Sequence, residues 1–148
     1  MGMLVERILP VALRRLVTIQ ADAALTDVAK LLSNTHISLV VVCGADGAMV
    51  GVITKTDVVR QVSGQEPLKT ITAASVMVRD VTYCRPGDAL HDTLSIMKER
   101  GFVHIPIIDQ GSKAVGVLNA RDALQALLTE AEHDESFLRD YIMGAGYH

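Results

Sequence analysis

The sequence predicts an α/β (α+β) fold built from two copies of one β-α-β-β-α unit, packed with pseudo-two-fold symmetry. Three observations predict it. GVITKTD at 51–57 recurs as GVLNARD at 116–122, 65 positions further on. The same shift lays residues 25–59 on residues 90–124 without a gap, placing Leu25 on Leu90, Asp27 on Asp92 and Asp57 on Asp122. The chain of 148 residues is 49 % hydrophobic with two Phe, three Tyr and no Trp, so nearly all of its apolar surface is aliphatic. Valine-rich runs of this kind suit strands buried on both faces, and a repeat of this period is a supersecondary unit copied once.

Along the chain, an N-terminal segment (1–15) precedes a first repeat at 16–62. It opens with a short strand at 17–19 and a turn. An amphipathic helix follows, with Leu25, Val28, Ala29, Leu31 and Leu32 at helical spacing. The buried strand ISLVVV (37–42), the loop GADG (44–47), a strand ending at Ile53 and a helix opening at Thr54 complete the unit. A polar linker spans 63–75. The second repeat, 76–128, runs in the same order: a strand at 81–83, a helix faced by Leu90, Leu94, Ile96 and Met97, then VHIPII (103–108). DQGS (109–112), a strand ending at Leu118 and a helix opening at Asn119 close it. At the first strand, Val17-Thr18 match Val81-Thr82 if the register slips by one residue. In the last segment, 129–148, Phe137, Leu138, Tyr141 and Ile142 line one side of a helix that Gly144 is placed to end. Neither repeat is large enough to bury its own helices and sheet, so the two are expected to pack together.

Composition removes several classes of function. A net charge of −3 provides no basic footprint for nucleic acid, and the scarcity of aromatics leaves no stacking platform for single strands. No apolar run approaches a membrane span. Glu6 and Arg7 interrupt the N-terminus before any signal-like core, and Glu6 stands where a myristoylation motif needs Ser or Thr. Cys43 and Cys84 lie in apolar strand-like runs and read as buried thiols of a reducing, cytoplasmic compartment. The histidines and cysteines show none of the CxxC, HxxxH or HExxH spacings, so no metal site is expected. No nucleophile–base pattern or P-loop points to an enzyme.

The repeated loop has two readings. Thr54 with Asp57, and Asn119 with Asp122, have the spacing of a capping box, which needs no ligand. The same strand-to-helix turn also offers unpaired amides for a phosphate. An outward-facing carboxylate there has two acceptor oxygens for the paired hydroxyls of a ribose. The residues of the loop leave both readings open.

The duplicated unit, the two G-h-h-[T/N]-x-x-D loops and FVHIPIID (102–109) together resemble a tandem pair of CBS domains, a Bateman module, over about residues 16–128. The resemblance implies two clefts between the repeats for an adenosine ligand: AMP, ADP, ATP, NAD or S-adenosylmethionine. One cleft would combine Thr54 and Asp57 with Thr82 and Tyr83. The other would combine Asn119, Arg121 and Asp122 with Thr18 and Ile19, with Ser38 close to the base. His104, two before Pro106, falls where the family often places a basic phosphate contact. Two departures stand out: Asn119 replaces the usual Ser or Thr, and the first repeat has Leu39 and Val41 where the second has His104 and Pro106. Arg121 gives the Asp122 cleft the greater positive charge. The function implied is a non-enzymatic sensor that needs no further cofactor, acts as a homodimer and reports occupancy to an unknown partner protein. The rival is an interaction or dimerisation scaffold with vestigial clefts.

Overall fold

The structure, a computed structural model, describes residues 2–131. The helix expected within 132–148 lies outside them. After a 3-10 turn at Val5–Ile8 come α1 (Leu9–Arg14), β1 (Thr18–Gln20), α2 (Leu25–Leu32), β2 (Leu39–Cys43), β3 (Met49–Thr54) and α3 (Lys55–Val62). A second 3-10 turn at Leu68–Thr70 leads to α4 (Ala73–Val76), α5 (Leu90–Arg100), β4 (His104–Ile108) and β5 (Ala114–Asn119). Residues 120–131 form α6.

Strand alternation sets the layers. All five residues of β2 are buried, because successive side chains leave opposite faces and both faces are covered. Val40 and Val42 face α2 with Leu25, Val28 and Leu32. Leu39, Val41 and Cys43 face the other repeat and meet Val117 of β5. In the second repeat Ile105, Ile107 and Leu118 face α5 with Leu90 and Met97. Two sheets thus pack on each other through valines, with helices outside. The helix faces repeat as well, Leu25, Val28 and Leu32 answering Leu90, Thr93 and Met97. Ile96, expected on that face, is exposed; Thr93 takes the place and satisfies its hydroxyl on Ala89 O at 2.9 Å.

The segments before each repeat cross to the other. Val5, Ile8 and Ala12 lie in the core of the second repeat, although the sequence sets 1–15 apart from both units. Ile71 and Ala73, from the stretch read as a polar linker, lie in the core of the first. Matching bridges mark the crossings, Leu4 to Ala89 and Ala24 to Thr72.

The first strand of the second repeat differs from expectation. β1 runs parallel to β2, but 81–83 forms no strand, and a single parallel bridge joins Cys84 to Ile107. In the first repeat Val41 N–H donates to Val17 O at 3.0 Å. Its counterpart at 106 is proline, which has no N–H, so that rung cannot form. The pairing of Ile19 with Val42 and of Cys84 with Ile107 also corrects the register. The shift remains 65 through the first strand, with no slip, so Thr18 corresponds to Tyr83 and Arg15 to Asp80.

Candidate functional site

Asp57 is fixed by the start of its own helix. Thr54 ends β3 and caps α3, and Asp57 Oδ2 accepts the Thr54 N–H at 2.9 Å and the Thr54 hydroxyl at 3.1 Å. The carboxylate is buried, and its other oxygen stands 3.7 Å from Arg60. The capping box therefore forms, because an N-cap amide three residues back is the nearest unpaired donor, and it commits one of the two Asp57 oxygens.

A cavity of about 210 Å³ nevertheless lies beside it and draws on both repeats. Thr54 and Asp57 line it from the first, and Val78, Asp80, Thr82, His104 and Pro106 from the second. Tyr83 stands apart: it is exposed, with the Arg85 guanidinium 5.5 Å from its ring centre. The Thr82 hydroxyl accepts a bond from Arg100 at 3.1 Å. Asp80, which no sequence motif marked, and Phe102, the first residue of FVHIPIID, also line it.

Asp122 behaves differently from its counterpart. Asn119 Oδ1 caps α6 by accepting the Asp122 N–H at 3.0 Å, but the Asp122 carboxylate turns away from its own N-cap. Arg15 holds it in a two-pronged ion pair, Nε to Oδ2 at 2.6 Å and Nη2 to Oδ1 at 3.1 Å. Both oxygens that a ribose would use are thus engaged. Arg121, expected here, is exposed and lines a separate depression between α5 and α6 with His91, Ser95 and Lys98. Thr18 is exposed on β1, Ile19 packs against the first core and Ser38 is half-buried just ahead of β2. The described contacts that reach Asp122 from the N-terminal side come from Arg15.

His104 joins the two sites. It lines the Asp57 cavity, and its Nε2 lies 2.8 Å from Asn119 Nδ2. The Asn119 oxygen is committed to the Asp122 N–H, so the amide nitrogen faces the ring and donates to it. Nε2 is then an acceptor, and the imidazole is neutral with its proton on Nδ1. Burial pushes the His104 pKa below 6.5, Arg15 adds to that push and Asp122 opposes it.

The described residues contain no cluster of three His, Cys, Asp or Glu able to hold a metal. None of their helices is long and apolar enough to cross a membrane. Cys43 and Cys84 are buried free thiols.

A family model for the CBS domain matches residues 5–64 and 73–129. The chain belongs to the CBS-domain family. Both matches begin upstream of the first strands, so each CBS repeat includes the segment that crosses to its partner. A 17.7 kDa uncharacterised protein of Acidianus ambivalens is 27 % identical over 118 residues, covering 80 % of this chain and 71 % of that protein. The chain spans 47 % of a related Methanocaldococcus jannaschii protein and 20 % of a Methanosalsum zhilinae homoserine O-acetyltransferase. Among solved structures, a CBS-domain protein of Agrobacterium tumefaciens superposes with a TM-score of 0.70 at 26 % identity, covering 84 % of this chain and 98 % of that one. A CBS-domain pair in complex with 5′-methylthioadenosine and S-adenosyl-L-methionine has a TM-score of 0.70 at 19 % identity, covering 84 % and 98 %. Another CBS protein, in complex with AMP, has a TM-score of 0.72 at 18 % identity, covering 88 % and 99 %.

Proposed function

We propose that this CBS pair is a non-enzymatic regulatory module of the cytoplasm that binds an adenosine ligand between its repeats and reports occupancy to a partner protein. The observation that carries the reading is the cavity in which Thr54 and Asp57 of one repeat meet Thr82, His104 and Pro106 of the other. A ligand there touches both repeats, so binding shifts their relative packing. The Asp57 oxygen nearest Arg60 is the ribose acceptor, and the base lies among Val52, Val78 and Pro106. At about 210 Å³ the cavity is smaller than the roughly 300–1,000 Å³ usual for a small-molecule site. Entry therefore moves the 78–82 segment, and that movement is the signal. The relatives' ligands, AMP in one and methylthioadenosine with S-adenosylmethionine in another, support this class of ligand. Exposed Val59 and Val62 of α3 and Leu124 and Leu128 of α6 support a homodimer built through the outer helices.

Thermal shift against AMP, ADP, ATP, NAD and S-adenosylmethionine tests the reading, because a ligand bound only by the folded state raises the melting temperature. Asp57→Ala should abolish the shift from a ligand in that cavity. A second reading, a dimerisation scaffold with vestigial clefts, is favoured by one fact: both carboxylates already have protein partners. It stands if none of the five compounds shifts the melting temperature.

A further inference from the structure

The two CBS repeats correspond residue for residue at a shift of 65, yet one corresponding pair carries opposite charges: Arg15 and Asp80. Each stands at the aspartate of one repeat loop. Arg15 grips Asp122 at 2.6 and 3.1 Å, and Asp80 lines the cavity that holds Asp57. The two sites are electrostatically unlike. The Asp122 site has a cation on its carboxylate. The Asp57 cavity has two carboxylates among its lining residues, with His104 as its ring base and Arg60 at its edge.

We propose that Arg15 and Asp80 are specificity-determining residues that sort adenosine ligands by charge, anionic nucleoside phosphates to Asp122 and neutral or cationic adenosine derivatives to Asp57. This rests on the adenosine-binding reading above. A ribose diol that takes Asp122 must displace the guanidinium. Arg15 is about one-quarter exposed, so once displaced it needs another anion close by. A ligand phosphate supplies that anion; an uncharged or sulfonium-bearing adenosine does not. Around Asp57 the balance reverses, because a phosphate brought beside Asp57 and Asp80 meets like charge, whereas a sulfonium meets its complement.

Isothermal titration of the full chain with AMP and with S-adenosylmethionine tests this in wild type, Arg15→Ala, Arg15→Lys and Asp80→Ala. Arg15→Ala should weaken AMP on the order of tenfold and leave S-adenosylmethionine within about twofold. Arg15→Lys, which keeps the charge, should recover most of the AMP affinity. Asp80→Ala should weaken S-adenosylmethionine about threefold and leave AMP unchanged or tighter. Circular dichroism melts on the same samples separate loss of fold from loss of affinity. If Arg15→Ala and Asp80→Ala change both ligands by equal factors, charge sorting is overturned while adenosine binding stands. If neither ligand binds wild type or any variant, the adenosine reading falls and this proposal falls with it.

Discussion

Gly116 and Ala12 meet with no room for a side chain between them: a Cβ on Gly116 would stand 2.8 Å from the Ala12 Cβ and 3.1 Å from its carbonyl carbon. The same contact recurs one repeat earlier, where a Cβ on Gly51 would lie 2.6 Å from the Met77 sulfur and 2.8 Å from the Val78 oxygen. Here is the reason that both strands leading to the repeated loop carry glycine. Each lets the segment preceding a repeat cross the strand of the other.

Gly116→Ala should therefore destabilise the chain by about 1–3 kcal/mol, as overpacking does, because backbone of α1 must shift to admit the methyl. Gly51→Ala should fall in the same range, with Met77 able to move but the Val78 carbonyl held by the Val52 N–H at 3.0 Å. Urea unfolding measures both, and a loss under about 0.5 kcal/mol at either site would show that the crossing segment is not fixed.

The Arg15–Asp122 pair spans 107 residues and ties the start of the first repeat to the end of the second. With side chains 26 % and 20 % exposed it is neither a surface pair nor a buried one. Arg15→Ala should cost about 1–2 kcal/mol, above the exposed-pair range because the bond is two-pronged. Adding Asp122→Asn to that variant should cost little more, since the two groups act as one unit. Independent, additive losses in a double-mutant cycle would show that the pair contributes nothing.

His104 sets a pH dependence of known sign. Its folded pKa lies below 6.5, so the unfolded chain binds the proton more readily. The associated stability is complete above 6.5 and is lost as pH falls through 6.5 towards the folded value. Wild type should lose melting temperature between about pH 7.5 and about pH 5.5, and His104→Gln should lose less over that span. Equal slopes in the two proteins would refute it.

Cys84 is buried, and its thiol pKa is pushed up to about 12, first by burial and then by Asp88. Despite lying next to Arg85, it is not an activated thiol. Raising the pKa from 9.0 to about 12 cuts the thiolate fraction about a thousandfold at neutral pH. A disulfide reagent should label Cys84 only when the chain unfolds. Rapid labelling in the native protein would mean that the second core opens readily.

The sequence by itself determined the repeat, the α-β-β-α order that both halves share and which strand faces are apolar. Those features depend on spacings of two, three and four residues, which persist whatever the chain later packs against. It also marked Thr54, Asp57, Thr82, His104 and Pro106, five residues that meet at one cavity. The proline at 106 removes the rung at 82, because a residue without an N–H cannot donate, although the strand pattern alone predicts a strand at 81–83. Tertiary structure alone decided the rest. Both loops have capping-box spacing, yet Asp57 turns back to Thr54 while Asp122 turns out to Arg15. No local rule separates them, since the difference is a guanidinium delivered from 107 residues away. Which charge stands at each aspartate, and which segment crosses which sheet, is fixed by how two nearly equal halves close on each other.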